Sequence, residues 1–520
     1  MIFRMIRRLI LVLMSGCGAV MVFAAPPTSG PKHADHPQTQ PDAAVEEDKI
    51  SHSSGAVTVN GQPLQYDATA GYLTLHDEAG KPRAKMFFVA YTKAEADLEQ
   101  ERKRPITFLF NGGPGAAAVW LHLGAVGPRK VQLDERGIPL GPPHALVENP
   151  FTWLDVSDLV FIDPVNTGYS RAAEGVKPEE FFGVENDVHT VAEFIRLYTT
   201  KNKRWQSPKF LAGESYGTTR AAALSDYMLD HGIDLNGIIF ISSVLDFATL
   251  SPQSNNDLPY MLYLPSYTAL ATHFKKLNPD LMADRDKTLK AVQQWAVGDY
   301  ASALAQGDSL TGAVRAAVVQ KLVDYTSLPA DLIDRHHLRI SPWLFRKHLL
   351  YSERKVLGRF DGRIAVDDSD PGSEREDFDP SLSDYLPAYT ADICQYLSGP
   401  LKFESDLTYV VLDGSRVQPW SLGRDGQGYL DVARSLSSAM NQNPRMKVMF
   451  ANGYQDLATP YFSTDYTLDH MELPDALRQN ITRKMYEGGH MLYHVEASLR
   501  QLKTDVATFI DGAIGTMPAP

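Results

Sequence analysis

Apolar and polar residues alternate along the first well-patterned stretch of the chain. In AVTVNG, YLTLHD and KMFFVAYT, between Gly55 and Tyr91, the alternation is punctuated by Asn60-Gly61 and Ala79-Gly80. Period two with such breaks predicts antiparallel strands joined by tight turns. After the charged connector Glu95–Arg104 the pattern changes. Ile106–Phe110 (ITFLF), Asp158–Ile162 (DLVFI), Lys209–Ala212 (KFLA), Ile238–Ser242 (IIFIS) and Lys447–Phe450 (KVMF) are short, nearly continuous apolar runs. Such runs predict strands of a sheet covered on both faces. Helical patterns, notably Asn186–Thr200, separate several of them, so the series predicts an α/β fold with a mostly parallel, doubly wound sheet. From about Ala248 to about Pro400 the period turns helical, in LATHFKKL, LKAVQQWAVGDYASALAQ and GAVRAAVVQKLVDYTSL. That block interrupts the strand series and predicts an inserted helical cap, with acidic, Pro- and Ser-containing Asp367–Asp384 as a mobile loop inside it. The expected organisation is a catalytic domain in two pieces, 51–247 and 401–520, with the cap at 248–400.

Composition changes this picture mainly at the N-terminus. A hydrophobic share of 44% with 10% aromatics, over 520 residues, is that of a core-forming globular protein. The formal charge of −13 argues against nucleic acid and anionic lipid surfaces as partners, and no Lys/Arg run interleaved with aromatics reverses that. Residues 1–24 read as a signal peptide. Arg4, Arg7 and Arg8 precede the apolar run Leu9–Phe23, and Ala24 and Ala25 offer a small-residue cleavage site before Pro26-Pro27. The expectation is export, to the periplasm or the extracellular space. Met14-Ser15-Gly16-Cys17 loosely resembles a lipoprotein processing site, but the apolar residues after Cys17 favour ordinary cleavage. Residues 25–50, rich in Pro, Ala and polar residues without a hydrophobic period, read as a disordered linker. His33 and His36 belong to that solvated tail rather than to a metal site. Cys17 and Cys394 are the only cysteines, so ordinary cleavage leaves one thiol and no intrachain disulfide. No later stretch of ~20 apolar residues is available to span a bilayer. There are no internal repeats, and the oligomeric state leaves no trace.

The chemistry concentrates in Pro208–Leu224, PKFLAGESYGTTRAAAL. A predicted strand runs into Gly213-Glu214-Ser215-Tyr216-Gly217, and a helix begins by Thr218 and the alanines 221–223. A G-x-S-x-G pentapeptide arises by chance in long chains; a strand before it and a helix after it give it weight. Reversal from strand to helix forces the central residue into a strained conformation and lifts its hydroxyl clear of the sheet. Ser215 then needs a base held in one tautomer by an acid. In this topology the chain order is Ser, acid, His, with the last two in loops after strands. Asp456 follows Lys447–Phe450, and His490 follows Ile481–Tyr486 and two glycines. Asp413, after TYVVL, is a rival acid and His494 a rival base. A metal reading of His490 and His494 lacks the intervening Glu and a third ligand. An oxyanion needs two backbone donors. One is the amide of Tyr216; the other is expected from the loop Asn111-Gly112-Gly113-Pro114-Gly115, directly after ITFLF.

NGGPG at 111–115 together with GESYG at 213–217 resembles the serine carboxypeptidase family of α/β hydrolases. Glu148–Trp153 (ENPFTW), Phe161–Ser170 (FIDPVNTGYS), Asn452–Asp456 and Gly489-His490-Met491 add to the resemblance, which runs over about Ile106–Leu250 and Lys447–Phe509. It implies an α/β-hydrolase fold and an exported serine carboxypeptidase of bacterial type. The substrate would be a peptide with a free C-terminus, and no cofactor or metal would be needed. It implies Ser215 as nucleophile, His490 as base and Asp456 as its orienter. It assigns the oxyanion hole to the amides of Gly113 and Tyr216, and the substrate's C-terminal carboxylate to Asn111, the Gly112 backbone and Glu214. A glutamate binds a carboxylate only when protonated, so an acid optimum would follow. The chain departs from the family in three places. A second carboxylate-binding Glu falls at Ala125, a Cys-Ser-Ser after NGGPG is Ala116-Ala117-Ala118, and the family's disulfides cannot form. Two other readings stay open: an esterase or acyltransferase with the same machinery, favoured by Ala125, and a non-catalytic binding protein on the scaffold.

Overall fold

Apolar side chains alternating up and down along short strands build two cores, one on each face of a single sheet. The computed structural model describes residues 49–515 apart from 95, 96, 98, 100–102, 254 and 422–427. The predicted signal peptide, Cys17 and all but the last two residues of the predicted linker lie outside the described residues. The chain opens with an antiparallel meander, β1 (Ile50–Val59), β2 (Gln62–His76) and β3 (Pro82–Lys93). Val59 pairs with Gln62, so Asn60 and Gly61 are the whole turn between β1 and β2. Both have positive φ (51° and 76°), the mirror-image turn that matches strand twist.

Six further strands are β4 (Ile106–Phe110), β5 (Asp158–Ile162), β6 (Lys209–Ser215), β7 (Gly237–Ser243), β8 (Lys447–Gly453) and β9 (Ile481–Tyr486). They lie parallel to one another. The order across the sheet is β1-β2-β3-β5-β4-β6-β7-β8-β9, with the short segment Arg171–Ala172 added beside β3. Every residue of β4, β5 and β7 is buried, which is why these strands read as unbroken apolar runs.

Phe108, Phe110, Ile238, Phe240, Val448 and Phe450 share one core with helices α1 (Val184–Lys201) and α2 (Tyr216–Asp230). Leu109, Ile239, Ile241, Met449 and Ala451 point the other way. There they meet α3 (Pro380–Ser398) and the last helix α5 (Glu496–Gly515), whereas α4 (Ala433–Gln442) packs in the first core beside α2. Both faces are therefore covered, as a parallel sheet requires.

Between β7 and β8 the chain is mainly helical, including Leu264–His273, Arg285–Trp295 and Gly312–Thr326, with a small hairpin of Lys355–Leu357 and Ala365–Asp367. The helix over LATHFKKL stops at His273, because Lys275 turns left-handed at φ 56°. The run LKAVQQWAVGDYASALAQ stays helical to Gln306 through one wide turn at Ala296–Tyr300. Only the first part of Asp367–Asp384 is a loop. The Asp379 carboxylate accepts from the Ser381 amide and starts α3 at Pro380. The inserted block has no core of its own. Tyr267, Leu270 and Leu322 join the first face of the sheet, and Tyr385, Tyr389 and Ile393 of α3 join the second. No helix among the described residues is long and apolar enough to cross a membrane.

Candidate active site

β6 turns into α2 within one residue, and glycines on either side make that possible. A Cβ on Gly213 would lie 2.3 Å from the Gly217 carbonyl oxygen, and one on Gly217 would lie 2.8 Å from that of Phe110. Ser215, at the turn, has φ 60° and ψ −130°, a conformation costing a non-glycine residue ~1–3 kcal/mol. It stands partly exposed at the C-terminal end of β6, immediately before the first turn of α2.

Asp456 and His490 sit past the ends of the second and third strands beyond β6, in the loops after β8 and β9. Asp456 is fully buried, and His490 nearly so. Asp456 Oδ1 accepts from the amides of Ala458 (2.7 Å) and Thr459 (2.9 Å). Its Oδ2 accepts from Thr459 Oγ1 and from His490 Nδ1, both at 2.8 Å. Accepting at Oδ2 requires the proton on Nδ1, so the other ring nitrogen carries the lone pair. His490 Nε2 is buried and makes no hydrogen bond. The His490 carbonyl accepts from Ser242 Oγ at 2.6 Å, which ties the loop to the end of β7. Burial alone would depress the imidazole's pKa. The Asp456 carboxylate and its hydrogen bond, helped by Glu214, outweigh burial and leave it raised.

The loop after β4 lies directly on the β6–α2 turn. A Cβ on Gly112 would lie 2.4 Å from the Tyr216 amide nitrogen, so only glycine lets these backbones approach. Gly113 follows at φ 98°. Asn111 is buried; its Oδ1 accepts from the Leu121 amide and its Nδ2 donates to Glu214 Oε1, each at 3.0 Å. Glu214 Oε2 is buried without a hydrogen bond. Burial lifts the Glu214 carboxyl to about 7, against the pull of His490, Tyr493 and Asn111. The structure thus gathers Asn111, Gly112, Glu214 and Tyr216 at one point, with Gly113 next in the loop. His490 and Asp456 are coupled electrostatically to Glu214.

The rival groups are occupied elsewhere. Asp413 accepts from the Ser415 amide and hydroxyl, and His494 is bonded through Nε2 to Tyr389 Oη at 2.8 Å. Ala125 is fully buried in the wide helical turn His122–Val126, where it brings no polar group. A surface groove of about 760 Å³, lined by Lys130, Glu148, Glu496 and Arg500, shares none of the site residues.

Sequence reasoning missed the brace beneath this edge. Arg220, one turn into α2, is buried, pairs with Asp187 of α1 at 2.8 Å and donates to the Asn111 carbonyl at 2.7 Å. Asp187 Oδ2 also accepts from Tyr216 Oη at 3.0 Å. One guanidinium therefore locks the loop after β4 to the β6–α2 turn. An arginine within the apolar run of α2 was the available signal. Thr459, which bonds Asp456 and the Ser242 carbonyl, left none.

A mostly parallel sheet in this order, covered by helices on both faces and carrying these groups at the C-terminal ends of its strands, defines an α/β hydrolase. A family model described as serine carboxypeptidase matches residues 59–327, just over half of the chain, and the chain belongs to that family. Serine carboxypeptidase-like 44 of Arabidopsis thaliana is 27% identical over 178 residues, 33% of this chain and 33% of its own. The lysosomal protective protein of Mus musculus is 24% identical over 241 residues, 45% of each chain. Carboxypeptidase Y of Saccharomyces cerevisiae is 26% identical over 168 residues, 31% of this chain and 27% of its own. The matches thus span less than half the length of these relatives. Among solved structures, the prohormone-processing carboxypeptidase KEX1 of Saccharomyces cerevisiae has the same fold. The TM-score is 0.53 at 16% identity, covering 87% of this chain and 91% of that one.

Proposed function

We propose that this chain is an exported serine carboxypeptidase that releases C-terminal residues from peptides through an acyl-enzyme. The observation that supports this best is the pairing of two open acceptor sites at one sheet edge. His490 Nε2, its ring fixed through Nδ1 by Asp456, has no hydrogen bond among the described residues, and neither has Oε2 of Glu214, which stands next to Ser215 in the chain. The first is placed to take a proton, and the second, while protonated, to give a hydrogen bond to a carboxylate.

Ser215 Oγ attacks the scissile carbonyl carbon while its proton passes to His490 Nε2. The carbonyl oxygen becomes an oxyanion that accepts from the amides of Gly113 and Tyr216. The imidazolium, steadied by Asp456, then protonates the leaving amine, and the C-N bond breaks. Water then attacks the acyl carbon while giving a proton to the same nitrogen; the bond from that carbon to Ser215 Oγ breaks, Oγ takes the proton back from the imidazolium, and the shortened peptide leaves as a carboxylic acid. Asn111, the Gly112 backbone and protonated Glu214 hold the departing residue's carboxylate, so that the bond presented to Ser215 is the last one in the chain.

A second reading, an esterase or acyltransferase on the same machinery, draws on the buried Ala125, which offers nothing to a carboxylate. One experiment covers both. A peptide mixture incubated with the protein and read by mass spectrometry should shorten one residue at a time from the C-terminal end, and a fluorophosphonate should label wild type but not Ser215→Ala. Labelling without any shortening would leave the second reading in place; no labelling at Ser215 would remove both.

A further inference from the structure

Three buried polar atoms at this edge have no hydrogen-bond partner: His490 Nε2, Glu214 Oε2 and the hydroxyl of Tyr493. Leaving one such atom unpaired costs ~1–3 kcal/mol, so three around one point call for an explanation. The proton of Ser215 explains the first. The other two interact with each other. The Tyr493 hydroxyl and the Glu214 carboxyl are electrostatically coupled, yet no hydrogen bond of ordinary geometry joins them. Tyr493 is 1% exposed and Glu214 3%. Tyr493 is held by the short helical turn Leu492–His494, three residues past His490, so the segment that carries the base also carries the phenol.

The packing beside Ala125 makes room for this phenol. A Cβ on the neighbouring Gly124 would lie 2.5 Å from Tyr493 Cε2 and 2.5 Å from Tyr389 Oη. Two tyrosine rings therefore fill the space that a side chain at position 124, next to Ala125, would enter. Only one of the two hydroxyls is open, since that of Tyr389 is bonded to His494. We propose that Tyr493 Oη donates a hydrogen bond to the C-terminal carboxylate of the substrate, beside Glu214, supplying the donor that Ala125 cannot. This rests on the carboxypeptidase reading and names a binding residue for it.

The chemistry differs from that of a second acid. A carboxyl group donates to an anion only while protonated, and two adjacent carboxyls oppose each other's ionisation. Burial and the nearby Glu214, Tyr389 and Tyr385 push the phenol well above its ordinary value, so it remains a donor throughout the range in which Glu214 titrates. The phenol also favours the charged form of Glu214 and so pulls against the rise that burial causes.

The test compares wild type with Tyr493→Phe on a blocked dipeptide with a free carboxylate and on its C-terminal amide, on both sides of pH 7. In Tyr493→Phe, KM for the free acid should rise about 10-fold with kcat within about two-fold, and neither constant should change for the amide. The pH at which KM begins to climb should also move up, because the phenol no longer favours ionised Glu214. Equal losses on acid and amide would mean that Tyr493 only supports the fold, and unchanged KM would mean that it meets no carboxylate; either overturns the inference alone. Wild type that treats acid and amide alike would overturn the exopeptidase reading with it. Tyr493→Phe keeps the ring and its packing against Gly124 and removes only the hydroxyl that interacts with Glu214.

Discussion

Glu214 and His490 interact electrostatically and want opposite pH. A base must be neutral, so kcat should fall as the pH drops through the raised pKa of His490. A carboxylate-binding Glu must be protonated, so KM should rise as the pH climbs through about 7. The kcat/KM profile should therefore be bell-shaped, its alkaline limb carried by KM. Glu214→Gln keeps a donor at Oε2's position and removes the titration. In that variant the KM limb should flatten. The acid limb of kcat/KM, which reports the free enzyme, should move to lower pH, because the negative charge that helps to raise His490 is gone. Steady-state constants measured across the range decide it; an alkaline limb that survives in Glu214→Gln belongs to some other group.

The β6–α2 turn is the element on which the site depends, and its tolerance is set by two absent side chains. Gly217→Ala should push a methyl group against the Phe110 carbonyl at the end of β4, where the proposed oxyanion loop begins. We expect kcat to drop ~10²-fold, about the loss of one oxyanion donor, with a lower melting temperature; Ala at 217 with wild-type kcat would show that the loop is not positioned by this contact. That turn was legible because strand, glycines and helix are consecutive in sequence. The parallel strands were legible for a related reason, since burial on both faces leaves Thr107 as the only polar residue inside β4, β5 or β7, the others standing at strand ends. The loop positions of Asp456 and His490 followed from strand ends. What could not be read were pairings across long stretches of chain. Arg220 reaches back to Asn111, 109 residues away, and Tyr493 matters only because Glu214 and Gly124 meet it in space. Nor does the helical period of α3 tell that its tyrosines pack under the sheet with Met449 and Ile241, while other helices of the same insertion pack on the opposite face.

Across the whole molecule, buried ionisable groups set how stability depends on pH, and they pull in two directions. Burial lifts Asp163 and Glu214 to about 7. The stability they contribute is full below the ordinary carboxyl range and is lost as the pH rises through 7. His122 and His494 do the reverse. Both are buried and bonded to tyrosine hydroxyls, His122 to Tyr91 at 2.7 Å, and burial holds each at about 3. In the unfolded chain they take up protons near their ordinary value of ~6.5, so the stability they contribute is present above that pH and lost as it falls towards 3. Between the two ordinary values the pairs largely offset each other, and below that window the histidines dominate. His122→Gln isolates the effect. Glutamine keeps a polar partner for Tyr91 Oη but takes up no proton, although it gives up the stacking of His122 on Phe161. The variant should be less stable at neutral pH, yet relative to wild type its unfolding free energy should gain as the pH falls from ~6.5 to ~4, with a slope that differs by the equivalent of about one proton. Denaturation in urea over a pH series measures that slope. Parallel curves for wild type and variant would mean that His122 charges as readily inside the fold as outside it, and that its bond to Tyr91 does not keep it neutral.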